Sequence, residues 1–257
     1  MLHDWRSLLA RTGAYLLVLA SWQLTAVRVY PELAPLSIVA EVWHYYPNPE
    51  FTQSVLASLR RIVVGFSIGT ALGLVSGLGL GLHASTRGIV EPIWGVLRPI
   101  SPLAWVPLSI VWFGITERAA VFLIAFATFF PMMLNTLQGV RDVNPVYEHA
   151  ALTLGASRFQ IIRKVILPAS VPNLLTGLRI AMGLAWGVIV AAELVIGFVL
   201  QSGLGYLMFR YTMFAFRPAR VLAVVLMVGT MAYVLDRLLR KALAVLAPWR
   251  GGTKAWA

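Results

Sequence analysis

The chain has 257 residues, of which 59% are hydrophobic and 12% are charged, about half the charged share of an ordinary soluble domain. Its net charge of +11 is accounted for by the lysines and arginines that membrane proteins collect in cytoplasmic loops, so we exclude nucleic acid as a partner. The absence of cysteine excludes disulfides, thiolate metal sites and cysteine nucleophiles, and the composition as a whole indicates a protein that crosses a lipid bilayer several times.

Six apolar stretches come close to the ~20 residues that a helix needs to cross ~30 Å of hydrocarbon. They lie at residues 10–27, 62–82, 93–113, 119–138, 174–197 and 219–238. If both termini are cytoplasmic, most of the 21 lysines and arginines fall inside, as the positive-inside rule requires. We therefore expect an all-α, polytopic bundle of six transmembrane helices that forms one domain over residues 1–257. The first helix is expected to be retained and not cleaved as a signal peptide.

Two external segments separate these spans. Residues 29–59 form the longer one, and the mixed apolar and polar pattern over residues 36–46 predicts a short amphipathic helix at the membrane surface. Residues 198–218 are interpreted as a second external loop, which contains two glycines.

The second span carries a glycine at every fourth position. Gly65, Gly69, Gly73 and Gly77 lie on one helix face, where they allow another backbone to approach closely. This pattern predicts a packed bundle, but close packing of this kind is common to many membrane proteins.

The third span contains too many prolines for one regular helix. Pro92, Pro99, Pro102 and Pro107 lie in or beside it, and an interior proline removes a hydrogen bond and clashes one turn back. Broken helix inside a membrane persists only against protein or a water-filled path. We expect this span to face the bundle interior and to line a transport route; a kinked structural helix is the alternative.

Four residues in such spans are candidates for the translocation path by their location: Ser101, Trp105, Asn135 and Trp186. Glu193, at the end of a long apolar run, is a fifth, because an acid at that depth is costly and usually pairs or lines a cavity. The alternative for Glu193 is a structural pair with an arginine or a backbone donor.

Two arginines lie near the ends of spans that we assign to the cytoplasmic side. Arg98 and Arg179 are expected to extend their charged ends to the interface. Assistance to the release of an anion is the other interpretation.

Between the fourth and fifth spans lies a polar, helix-prone insert at about residues 141–172. Asn144 and Pro145 predict a helix start, and Gly155 predicts its stop after residue 154. Ser157 is then expected to cap a second short helix that ends at Pro168.

This insert resembles the EAA loop of permeases of binding-protein-dependent, type I ABC importers. Ala150, Ala151, Gly155, Leu167 and Pro168 fall on the spacing of that motif. The runs RPISPLAWVPLSIVWFG, FFPMMLNTLQGV and LRIAMGLAWGVIVAAE extend the resemblance to the sulfonate, taurine and nitrate branch of the family.

One departure concerns the acid of the motif. The position of the family's glutamate is occupied by His149, and Glu148 lies one residue early. Which of the two contacts the ATPase stays open, and we favour Glu148 because an exposed histidine is only partly charged at pH 7.

The resemblance implies a MetI-like fold and a set of partners in a bacterial inner membrane. These are a second permease copy in a homodimer, cytoplasmic ATPase subunits that hold ATP and magnesium, and an extracytoplasmic substrate-binding protein. The chain itself has no Walker A sequence and no metal-ligand spacing, so we expect it to bind no cofactor and to be no enzyme. The expected substrate is a small anion or polar solute such as a sulfonate, taurine, nitrate or bicarbonate.

Two other functions remain as alternatives. A secondary transporter or channel would move solute without an ATPase. A membrane-embedded enzyme acting on lipid would need acids or histidines clustered at one depth, which the sequence does not present.

Overall fold

The computed structural model describes residues 4–45 and 48–246, and this part of the chain is helical with short connections. The helices in chain order are α1 Asp4–Val29, α2 Pro35–Tyr45, α3 Pro49–Leu82, α4 Ala84–Leu97, α5 Val106–Phe113, α6 Glu117–Arg141, α7 Pro145–Thr153, α8 Arg158–Ile161, α9 Leu167–Val195, α10 Gly197–Leu200, α11 Leu204–Met213 and α12 Pro218–Leu246. The termini at 1–3 and 247–257, which the sequence assigns to the cytoplasm, lie outside the described residues.

Four described helices are long and apolar enough to cross a membrane. They are Pro49–Leu82, Glu117–Arg141, Arg158–Val195 and Pro218–Lys241. The bent pair Ser85–Leu97 and Pro102–Phe113 makes a fifth crossing if it is counted as one span. The all-α membrane bundle is confirmed. The first predicted span lies in α1, which is not among these helices, so the count of six stays a prediction.

Helix α6 is the centre of the bundle, with α3 packed on one side and α9 on another. Its residues Leu123 and Ile124 are completely buried and belong to one core cluster with Ile62 of α3 and Ile189 of α9. Because lipid offers no hydrophobic drive for helix association, such contacts stabilise the bundle through close packing.

The glycine face of α3 is the surface that packs on α6. A Cβ at Gly73 would lie 2.6 Å from the carbonyl oxygen of Phe129, and one at Gly77 would lie 2.5 Å from that of Met133. Both distances are shorter than any real side chain tolerates, so the backbones of α3 and α6 approach as closely as the sequence pattern predicts.

The third span is broken, as its prolines predict. Helix α4 ends at Leu97, one 3₁₀ turn follows at Pro102–Trp105, and α5 continues at an angle of 85° to the first half. Ser101 caps the 3₁₀ turn by accepting a hydrogen bond from the backbone N–H of Leu103 at 3.3 Å. The polypeptide therefore changes direction beside α6, with one side of the irregular segment against that helix and the other exposed.

The structure corrects the two predicted external segments. Residues 49–59 are not loop but the first turns of α3, which Asn48 caps by accepting a hydrogen bond from the N–H of Glu50 at 2.9 Å. The prediction of a loop over residues 198–218 is also wrong, since most of it forms α10 and α11. Helix α11 is buried against α9 and α12 through Leu204 and Leu207.

The predicted surface helix is present as α2, and its end is fastened by a polar and aromatic cluster. Tyr45 shares a hydrogen bond with Tyr211 of α11, and Arg220 of α12 pairs with Glu41 while its guanidinium lies 5.5 Å from the Tyr45 ring centroid. Burial raises the pKa of Tyr45 above its ordinary value, so the phenol stays neutral at pH 7. The cluster holds α2, α11 and α12 together.

A single methyl group on the packed face of α3 tests the close approach. We expect Gly73→Ala to destabilise the purified protein by about 1–3 kcal/mol, because the added Cβ overlaps α6. Gly79→Ala is the matched control on the same helix, where nothing lies within 4 Å, and we expect it to be neutral or slightly stabilising. Thermal unfolding in detergent measures both, and equal behaviour of the two variants would contradict this packing.

Candidate functional site

The polar insert forms a two-helix elbow, which we define as residues 145–161, at the end of the bundle where α3 and α6 meet. Asn144 caps α7 by accepting a hydrogen bond from the N–H of Val146 at 3.0 Å, and Pro145 begins the helix. The helix ends at Thr153, and Gly155 has a φ of +78°, a left-handed conformation that favours glycine. The predicted start and stop of this helix are confirmed to within one residue.

The second half of the elbow begins as predicted but does not end at Pro168. Ser157 and Gln160 form a capping box at the start of α8. The helix then passes through a π turn at Ile162–Ile166 and continues as α9 to Val195. In the π turn the N–H of Leu167 donates to the carbonyl of Ile162, five residues back. This wider turn accommodates Pro168, which has no N–H and whose ring crowds the carbonyl one turn back.

The elbow exposes large apolar side chains. Leu154 is 87% exposed and Phe159 is 70% exposed, and Val146 and Tyr147 also lie largely in solvent. Clustered apolar side chains of this kind mark surfaces that contact another protein.

The other residues of the predicted loop motif fall on different surfaces of the elbow. Ala150 is exposed, whereas Ala151 packs against a small buried cluster that includes Ile161. Leu167 and Pro168 are half-buried at the beginning of α9. The spacing that links these residues in sequence therefore does not bring them into one contact surface.

A groove of about 270 Å³ separates the elbow from the end of α3. Glu148 lines it together with Arg158 of α8 and His83, which follows α3. His149 is exposed and does not line this groove; its carbonyl accepts a hydrogen bond from the Thr153 hydroxyl at 2.9 Å. The one-residue difference between Glu148 and His149 thus places their side chains on different sides of α7.

A second cavity, of about 350 Å³, lies in the bundle beside the break in the third span. Arg98, Ile100 and Pro102 line it from the break, Phe126, Phe130 and Asn135 from α6, and Ile180 and Leu184 from α9. The cavity is mostly apolar, with few polar groups, which is the usual character of a small-solute site.

The predicted path residues have different relations to this cavity. Asn135 lines it directly, and Ser101 lies between two lining residues and is exposed. Trp105 packs on Phe126 with ring centroids 4.9 Å apart, and Trp186 is buried in the main core. The indole N–H groups of both tryptophans are buried, and neither has a hydrogen-bond partner in the described part of the chain. Their part in transport stays a prediction.

Glu193 is completely buried and forms an ion pair with Arg61 of α3 at 2.7 Å. It also accepts hydrogen bonds from the hydroxyl of Ser58 at 2.8 Å and from the N–H of Gly205 at 3.0 Å. Arg61 in turn donates to the carbonyl of Ser202 at 3.1 Å. This arrangement is the structural pairing that the sequence left open, and it joins α3, α9 and the start of α11.

Two residues of these sites, Arg61 and Ser58, are not identified by the sequence analysis. The sequence contains one indication of a pair between Arg61 and Glu193: Arg61 begins a long apolar run, and Glu193 ends another. Two opposite charges at the same end of apolar helices point to a pair.

Comparison with known proteins agrees with this architecture. Residues 69–242 match the profile of a family described as the binding-protein-dependent transport system inner membrane component. The taurine transport system permease protein of Escherichia coli K12 is 39% identical over 204 residues, covering 77% of this chain and 71% of that protein. The nitrate import permease protein of Leptolyngbya laminosa is 35% identical over 202 residues, covering 75% and 71%.

A solved structure, the inward-facing MetNI methionine ABC transporter, superposes with a TM-score of 0.63 over 76% of this chain and 95% of that chain. At 18% sequence identity this likeness concerns the fold alone, and it confirms the MetI-like fold predicted from the sequence.

Removing the buried carboxylate tests the Arg61–Glu193 pair. We expect Glu193→Gln to destabilise the protein by about 3–5 kcal/mol, because the buried guanidinium loses its closest counter-charge and keeps only Glu117 at 3.5 Å. Asp236→Asn, which breaks a partly exposed pair with Arg240, is the control and is expected to cost at most about 1 kcal/mol. Unfolding in detergent measures both losses, and a Glu193→Gln protein as stable as the parent would show that the pair does not hold these helices together.

Proposed function

Because this chain belongs to the family of binding-protein-dependent transport system inner membrane components, we propose that it forms the translocation path of an importer driven by a separate ATPase. Its relatives are transport permeases, so the chain is a transport subunit and not an enzyme. It is a multi-pass membrane protein, and we assign it to the bacterial inner membrane with both termini in the cytoplasm.

The observation that carries this proposal is the exposed apolar surface of the elbow. In the proposed complex, Tyr147, Leu154 and Phe159 enter a cleft on a cytoplasmic ATPase subunit, which alone holds ATP and magnesium. When ATP binding closes the ATPase pair, the elbow moves with it. The positions of Ala150, Ala151 and Gly155 on the family motif support this assignment.

The helix that follows the elbow connects it to the cavity. Residues Arg158–Val195 form one continuous span that includes the π turn, and the same span contributes Ile180 and Leu184 to the cavity wall. A displacement of the elbow therefore reaches the cavity without crossing a flexible loop. This continuity supports a rocking movement that opens the path alternately to each side.

We further propose that two copies of the chain pair about a two-fold axis, the commonest symmetry of such assemblies. The path would then run between the copies, along the third, fourth and fifth spans, with Ser101, Trp105, Asn135 and Trp186 as its candidate contacts. An extracytoplasmic binding protein delivers the solute, which we propose to be a small anion or polar solute such as a sulfonate, taurine, nitrate or bicarbonate. The taurine and nitrate permeases among the relatives support this class.

Reconstitution tests the function as a whole. Proteoliposomes that contain this chain with its ATPase and binding protein are expected to take up solute only when ATP is supplied. Uptake by this chain alone would establish a channel or secondary transporter. Turnover of lipid by the chain would establish an enzyme.

The conformation of Gly155 provides a test of coupling. We expect Gly155→Val to abolish the ATP hydrolysis that the loaded binding protein stimulates, while membrane insertion stays intact. A β-branched residue at positive φ costs about 1–3 kcal/mol and displaces the elbow. Gly155→Asn is the matched control, because asparagine tolerates the left-handed region, and it is expected to couple. Normal coupling by the valine variant would reject the docking role of the elbow.

Two substitutions by glutamine test whether Glu148 or His149 contacts the ATPase. We expect Glu148→Gln to weaken assembly with the ATPase more than His149→Gln, because Glu148 lines the groove and a carboxylate there accepts charge-assisted hydrogen bonds from a basic ATPase side chain. The fraction of ATPase that copurifies with each variant, measured over a series of salt concentrations, decides the order. If His149→Gln weakens assembly more, the ATPase contact belongs to His149.

A further inference from the structure

Arg98 occupies an unusual depth in the bundle. It follows α4 at the break in the third span and lines the same cavity as Phe126 and Phe130, which lie near the middle of the 25-residue helix α6. A charged side chain at such depth is costly unless it faces a cavity or a partner. The break in the helix provides that cavity, and Arg98 is exposed there in the single chain.

The guanidinium of Arg98 has no counter-charge among the described residues. It forms none of their ion pairs, and no aspartate or glutamate lines the cavity. Asn135, the other polar residue of the cavity wall, directs its side-chain amide to the carbonyl of Pro131 at 2.7 Å. The cavity therefore presents one positive charge beside mostly apolar walls.

We propose that Arg98 binds the anionic group of the transported solute and makes the path selective for anions. The proposal rests on the function proposed above and adds to it the residue that recognises the negative charge of the solute. A guanidinium donates two parallel hydrogen bonds to an oxyanion, which suits sulfonate, nitrate and bicarbonate groups alike. Phe126 and Phe130 supply an apolar wall beside this contact.

A competing role for Arg98 is purely structural. Its backbone N–H donates to the carbonyl of Trp94 at 2.8 Å, so its charge lies at the C-terminal end of α4, where a cation is favourable. In this case the charge would stabilise α4 without affecting the solutes that enter the cavity. The test must therefore measure the charge preference of the cavity separately from stability.

The absence of native cysteine allows a direct measurement. In the full permease–ATPase complex, Leu134→Cys places one thiol in the cavity wall. Its reaction rates with two water-soluble methanethiosulfonates are compared: a 2-sulfonatoethyl reagent, which is an organic sulfonate, and a 2-(trimethylammonio)ethyl reagent, which is a cation. Each rate is normalised to that of a free thiol in solution, and the ratio of anionic to cationic rates reports the charge preference.

We expect the ratio to favour the sulfonate reagent and to fall by about five-fold or more when Arg98→Gln is added, because one charge acts in opposite directions on the two reagents. Arg98→Lys keeps the charge and is expected to keep most of the ratio. Arg87→Gln, on the same helix but outside the cavity wall, is expected to leave it unchanged. Thermal unfolding of each variant reports any structural loss separately.

An equal ratio with and without the Arg98 charge overturns the proposal, and so does a thiol that neither reagent reaches in any nucleotide state. ATP hydrolysis stimulated by the binding protein is measured on the same Leu134→Cys complex. If the binding protein stimulates ATP hydrolysis but the ratio of reaction rates does not depend on Arg98, the selectivity assignment fails and the importer function stands. If hydrolysis is uncoupled in the parent complex as well, the proposed function itself fails.

Discussion

Backbone that leaves the helical conformation inside a membrane must lie against protein or water, because lipid satisfies no hydrogen bond. This constraint organises the bundle. The prolines of the third span interrupt its helix, and the interrupted segment lies beside α6, the most enclosed helix of the structure. The cavity beside the break is a consequence of the same arrangement, since two half-helices that meet at 85° cannot fill the space that a straight helix would occupy.

The close contact between α3 and α6 leaves room in the bundle for this broken span. The glycines of α3 bring its backbone against α6, which leaves the rest of the surface of α6 for the broken span and for α9. Close-packed helices of this kind transmit a displacement of one helix to its neighbours, because few voids remain to absorb it. The helix from the elbow to the end of α9 is continuous, with a π turn at Ile162–Ile166.

The two ends of the bundle differ in how they are held. At the end opposite the elbow, the Arg61–Glu193 pair and the cluster around Tyr45 join α2, α3, α9, α11 and α12 through buried ionic and hydrogen-bonded contacts. At the elbow end, the contacts are apolar and a groove remains between α7 and α3. A bundle held firmly at one end and open at the other is consistent with the rocking movement that we propose for this importer.

The sequence by itself determined what depends on local chemistry. Apolar runs specified the helical membrane bundle, four prolines specified a broken third span, glycines at spacing four specified a close helix contact, and Asn144, Pro145 and Gly155 specified the ends of α7. These features follow from the backbone preferences of nearby residues, and the family motifs identified the type of transporter. Asn135, which lines the cavity, was a candidate because it lies on a span that such patterns mark, and its part in transport stays a prediction.

Only the tertiary structure decided what depends on residues far apart in the chain. Ser58 and Arg61 meet Glu193 across more than 130 positions, residues 204–213 are a buried helix because α9 and α12 cover them, and Arg98 faces a cavity because α6 and α9 enclose it. Pro168 was expected to end a helix, yet the surrounding packing keeps the helix continuous through a π turn. The local preference of a residue sets the free-energy cost of each backbone conformation. The residues that the fold packs against it decide whether their contacts offset that cost.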